Sequence, residues 1–103
     1  KKYYNRELNA RLSDIWGMIY RKGDHAIVHD HWPALWSGVY YLKAPKKSGD
    51  LYFPQLKQSF EPQDNMLVLF SGNTRHGVKE NLSDEERIAV SFNVKEDHVQ
   101  KNI

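Results

Sequence analysis

Cysteine is absent from the 103 residues, which excludes disulfide staples and thiolate metal ligands. No apolar run approaches the ~18 residues a membrane-spanning helix needs, so no membrane association is expected. The chain opens Lys1-Lys2-Tyr3-Tyr4 and turns polar without the apolar stretch of a secretory leader. Together with the missing cysteine, this gives cytoplasmic as the expected location. Glycine and proline are sparse, at 6 and 4 residues, and there is no low-complexity segment or internal repeat. A strong charge of one sign is lacking too: the formal net charge is +2. The only basic cluster, Lys43, Lys46 and Lys47, reads as a solvated hairpin tip, and no nucleic-acid partner is expected.

Aromatic residues are plentiful, with 3 Trp, 6 Tyr and 4 Phe, and they favour strands. A single domain over residues 1–103 is expected, long enough to close one core with little to spare. Residues 5–14 carry the one helical pattern. Leu8, Leu12 and Ile15 recur at i, i+4 and i+7, which predicts a helix packed outside a sheet. From Ile15 the period becomes two. Strands are predicted at 16–21, 25–31, 35–43, 50–53, 58–60, 66–70, 76–78 and 87–94, with a polar tail over 95–103. Met66 to Phe70 is apolar at every position and predicts a strand covered on both faces. About eight short strands at hairpin spacing argue for an all-β sandwich or barrel.

His29 and His31 stand two apart. On a strand they point to one face, where two imidazoles can chelate one ion. His76 follows 47 residues after His29, beyond the turn-rich Ser71–Arg75 segment. A fold that brings it beside the pair completes a three-ligand site. The last strand separates two faces. Ile88, Val90, Phe92 and Val94 form an apolar face that should meet the helix or an opposite sheet. Arg87, Ala89, Ser91 and Asn93 form a small polar one. If that second face points inward, Ala89 and Ser91 leave a cavity. Arg87 then requires an anion, because an unpaired buried charge is very costly. A guanidinium fork suits a carboxylate.

Over residues 23–94 the chain resembles the iron(II)- and 2-oxoglutarate-dependent oxygenases, and within them a small group from bacteria and phages. The matching residues are His29-x-His31, Ser37-Gly38-Val39-Tyr40-Tyr41-Leu42, Ser48-Gly49-Asp50-Leu51-Tyr52-Phe53, Leu67-Val68-Leu69-Phe70, His76-Gly77-Val78, and Arg87 through Asn93. The resemblance implies an eight-stranded double-stranded β-helix, or jelly roll, with the predicted helix outside it. It implies Fe(II) held by His29, His31 and His76. It also implies 2-oxoglutarate held by Arg87, which follows His76 by 11 residues, and by Tyr41. Asn93, on the Arg87 face of the last strand, is expected to line the same cofactor pocket. The implied reaction hydroxylates a small-molecule or side-chain substrate and releases succinate and carbon dioxide.

His31 departs from the pattern, since the family places a carboxylate there. Asp30 next door and Asp50 on a neighbouring strand are alternative carboxylates. A second resemblance runs to the cupins. Gly23, five residues, then His29-x-His31 fits the first half of their motif, but Leu35 and Trp36 stand where its glutamate would fall. That likeness implies a three-histidine metal protein or dioxygenase without 2-oxoglutarate. A non-catalytic binding module of the same fold is the third reading. His25 and His98 lack partners in the pattern and read as surface residues. Trp32 and Trp36 flank the metal strand at a position suited to a substrate platform or a rim. A short roll also leaves sheet edges to protect, which is compatible with a homodimer.

Overall fold

The computed structural model of the protein describes residues 9–96. Eight strands run in chain order: β1 Ala10–Tyr20, β2 Ala26–His29, β3 Trp36–Lys43, β4 Leu51–Phe53, β5 Gln58–Phe60, β6 Leu67–Ser71, β7 His76–Val78 and β8 Arg87–Glu96. They form two four-stranded sheets, ordered β1-β8-β3-β6 and β2-β7-β4-β5. Each sheet takes strands alternately from the two halves of the chain, the interleaving of paired Greek keys. Every strand pair is antiparallel. The core lies between the sheets, where Val39, Tyr41 and Ala89 of the first meet Leu51, Phe53 and Val78 of the second.

Two expectations are overturned. Neither sheet closes on itself, so the domain is an open two-layer arrangement and not a closed roll. The predicted N-terminal helix is not formed. Residues 10–14 begin β1, while residues 5–8 lie outside the described part. Among the described residues the one helix is the 3-10 turn Pro54–Leu56, and none is long and apolar enough to cross a membrane.

A bulge explains the helical signal. The register of β1 on β8 runs Leu12↔Val94, Asp14↔Asn93, Ile15↔Phe92, leaving Ser13 as an extra residue. One inserted residue turns a spacing of two into a spacing of three. Leu12 and Ile15 therefore share a strand face, although their spacing is that of a helical stripe. Beyond the bulge, strict alternation sends Trp16, Met18 and Tyr20 inward and leaves Ile15, Gly17 and Ile19 exposed.

β8 sits in the middle of its sheet, between β1 and β3. Arg87, Ala89, Ser91 and Asn93 are buried, and Ile88, Val90, Phe92 and Val94 are only partly covered. The apolar face of β8 is thus the outer one, with neither a helix nor a sheet against it among the described residues. β6 is likewise covered on one side only: Val68 and Phe70 pack on the core, and Leu67 and Leu69 are exposed. Its two-sided apolar character predicted burial that the sheet order does not supply. Lys95 and Glu96, expected in the tail, extend β8. Lys43, at the hairpin tip, pairs with Glu85 at 3.6 Å.

Gly49 has a φ of 104°, and a Cβ there would run into the Lys79 carbonyl. The same loop places the Ser48 and Gly49 carbonyls on Arg87. Gly49→Ala should cost about 2 kcal/mol or more, the sum of left-handed strain and a backbone clash. Urea denaturation of the two proteins measures it.

Candidate metal centre

Antiparallel pairing of β2 with β7 sets His29 directly opposite His76. His31 lies two residues past His29, just beyond the strand end, where its amide donates to the Gly72 carbonyl at 2.8 Å. The three ring centroids are 4.4, 5.0 and 5.1 Å apart. One nitrogen from each ring lies within 4.8 Å of the others. The backbone selects the tautomers. Nδ1 of His29 is 2.6 Å from the Ile27 carbonyl, and Nδ1 of His76 is 2.9 Å from the Thr74 carbonyl. A carbonyl only accepts, so each Nδ1 carries the proton and each Nε2 keeps its lone pair for a metal. The donor set fits a single divalent transition ion.

Burial favours the neutral, ligating form. His76 is buried, and desolvation pushes its pKa down to about 4, against the opposing pull of the Thr74 carbonyl and with further lowering from His29 and His31. Desolvation also lowers the pKa of His31, followed by the neighbouring His29. Aromatic rings wall the cluster. Phe70 lies 4.6 Å from the His76 ring and Trp16 5.8 Å from His31.

The cluster opens onto a cavity of about 100 Å³ between the sheets. Arg87 and Tyr41, both only 2% exposed, line it as well. Among the described residues Arg87 has no carboxylate partner: Nη1 donates to the carbonyls of Ser48 at 3.0 Å and Gly49 at 2.6 Å, and the buried Nε meets no acceptor there. The Tyr20 ring lies 4.3 Å from the guanidinium carbon, a cation–π contact. Burial lowers the Arg87 pKa, yet a guanidinium stays charged. Burial raises the Tyr41 phenol to about 12, against the pull of Arg87, so it remains a proton donor. Among the described residues no aspartate or glutamate lines the cavity.

Asn93 does not reach the cavity wall. It accepts from Ser37 Oγ at 2.8 Å and donates to Asp14 Oδ2 at 3.4 Å; Ser37 lines the wall in its place. Asp30 accepts from the Trp32 amide and Asp50 from the Ser59 hydroxyl. Neither carboxylate belongs to the cluster. Trp32 and Trp36 are exposed and do not line the cavity. His25 likewise takes no part in it, and His98 lies outside the described residues. The lining also includes Trp16, Met18 and Tyr20. Their alternation was visible in the sequence, but which face pointed inward was not.

Residues 14–61 match the family model described as "Putative 2OG-Fe(II) oxygenase". The fold is similar to an oxidoreductase of the 2OG-Fe(II) oxygenase family from Burkholderia pseudomallei, at 16% identity and a TM-score of 0.76, over 87% of this chain and 47% of that one. It is also similar to the viral collagen prolyl hydroxylase of Paramecium Bursaria Chlorella virus-1 in its 2OG complex, at 19% identity and a TM-score of 0.66, over 84% and 60%. A cupin domain from Bordetella pertussis matches at 15% identity and a TM-score of 0.61, over 89% and 99%. No curated protein matches with significance. The chain shares the double-stranded β-helix fold of these oxygenases and cupins, and the oxygenase family model matches just under half of it. It spans about half the length of the oxygenases it matches.

Two outcomes follow. His76→Ala should reduce bound divalent metal from about one ion per chain to near zero, because two imidazoles alone hold such an ion weakly; elemental analysis after dialysis measures it. In the metal-free protein, His76 titrates near pH 4 when folded and near its ordinary value of about 6.5 when unfolded. The unfolded chain therefore binds more protons between these values, and stability should fall as the solution is acidified through that window. Thermal melts across the range should show the decline, and His76→Gln should flatten it.

Proposed function

We propose that the protein is a mononuclear three-histidine metalloenzyme of the oxygenase class. It acts on a small anionic organic molecule and does not require 2-oxoglutarate. The observation that carries this reading is the three-imidazole cluster with two backbone-fixed tautomers and no carboxylate among its members. Three neutral imidazoles leave the charge of a divalent ion uncompensated. Arg87 adds a second buried positive charge to the same acid-free cavity. A ligand that enters must supply negative charge, since unpaired charge in a desolvated site is costly.

A bound divalent metal would supply Lewis-acid and dioxygen chemistry at the cluster. The residues of the chain do the rest. His29, His31 and His76 hold their lone pairs toward one point. Arg87 offers an anion the guanidinium hydrogens not spent on the Ser48 and Gly49 carbonyls. Tyr41 stays protonated and can donate to the same anion. Trp16, Phe70 and Val39 give the cavity an apolar wall.

A second reading has its own support. Arg87 and Tyr41 in the cavity that also holds the metal cluster suit a dicarboxylate, one end at the ion and the other at the guanidinium. That is the arrangement 2-oxoglutarate would need with Fe(II), and the matched family carries that name.

Incubating the iron(II)-loaded protein with 2-oxoglutarate in air separates the two. No succinate is expected on the first reading, and succinate formation establishes the second. On both, Arg87→Gln should weaken small-dicarboxylate binding by about a hundredfold, the loss of a charge-assisted pair, and leave metal stoichiometry unchanged. Calorimetric titration with succinate measures that loss, and an unchanged affinity removes Arg87 from ligand binding.

A further inference from the structure

We infer that the outer face of the β1-β8-β3-β6 sheet is a dimer interface, occupied by the same face of a second copy of this chain. The register lays its side chains out in rows. Leu12 and Val94 begin it, Ile15, Phe92 and Leu69 follow, and Ile19 with Ile88 close it, Lys43 standing at the far corner of that last row. Between the first and last rows the outward positions carry no charged side chain. Ile15, Ile19, Trp36, Leu67 and Leu69 are between 47% and 65% exposed. Single exposed leucines are ordinary; a contiguous uncharged sheet face is not.

The surface is built to be flat. Phe92 lies across Gly38 on the neighbouring strand, where a Cβ would run into its ring. The large ring thereby fills the space of a missing side chain. The one polar group in the middle, the Tyr40 hydroxyl, is turned to Asn65 at 2.8 Å and is satisfied within the chain.

Size and chemistry select the occupant. Four strands at about 4.8 Å and about seven residues at about 3.3 Å project roughly 450 Å², and side-chain relief adds to that. The smallest specific interfaces bury about 500 Å² per partner. The one charge on the face, Lys43 at a corner of the last row, already pairs with Glu85 at 3.6 Å, so a nucleic acid, an anionic lipid surface or an acidic peptide finds little to pair with. A second copy brings an equally apolar, equally flat sheet. Two such sheets pack face to face at about 10 Å, and twofold symmetry buries both copies at once without leaving a sticky face to propagate. The metal-site cavity lies on the other side of this sheet, so the dimer leaves it free.

Sedimentation velocity at micromolar concentration should find a species of twice the 12.1 kDa chain mass. Leu69→Lys should raise the dissociation constant at least about tenfold, as a stranded charge in an apolar contact does. Leu82→Lys, an equally exposed leucine away from the sheet, should not. The chain has no cysteine, which allows a second measurement that does not depend on a charged variant folding. Under mild oxidation Val90→Cys, at the middle of the face, should form a disulfide dimer much faster than Leu82→Cys. A wild-type monomer overturns the inference and leaves the face to a segment of a longer polypeptide. Open-ended oligomers, or equal cross-linking of the two cysteine variants, overturn it as well.

Discussion

The structure depends on the alternation of β8 between two neighbours. Held on one side by β1 and on the other by β3, this strand cannot rotate or slip by one residue without exchanging its faces. Its inward set ends in small or polar side chains, Ala89 and Ser91, which leave a cavity where larger residues would have filled the layer. The same set begins with Arg87, which puts a fixed positive charge at the wall of that cavity. Its outward set, Ile88 through Val94, gives the far side of the sheet its apolar surface. Cavity, charge and surface are therefore consequences of one strand's phase.

The second sheet contributes two of the three clustered imidazoles by equally local means. His29 and His76 are cross-strand partners, so their approach is set by a strand ladder and not by loop conformation. The carbonyls of Ile27 and Thr74 then fix the ring nitrogens. Each accepts from a histidine two residues further along its own segment, so tautomer and ligand direction are set by the strand that carries the ligand. The result is a cluster of three imidazoles that shares a small cavity with a guanidinium. Positive charge is concentrated there, and the protein supplies no carboxylate to balance it.

Much of this was legible in the chain. The period-two runs located the eight strands, because alternation of burial is imposed by backbone geometry alone. His29 and His31 at a spacing of two announced a shared direction for the same reason. Arg87 among small residues announced a buried charge in want of a partner. Where reading failed, the failure was local and physical. The bulge at Ser13 converted strand spacing into apparent helical spacing at Leu12 and Ile15. Asn93 was read as pocket lining because it shares a face with Arg87, but Ser37 and Asp14 take its amide and hold it short of the wall.

What the sequence determined by itself was the list of strands, the in-or-out phase within each, and the residue types able to bind metal and anion. Those follow from short-range geometry. Only the tertiary structure decided which of the two β8 faces became the inside, that neither sheet closes, and that β6 is covered on one side alone. It also decided that His76, 47 residues after His29, stands opposite it. Such facts depend on which strands become neighbours. Pairing across long separations is chosen by the packing of the whole core, and no local pattern encodes it.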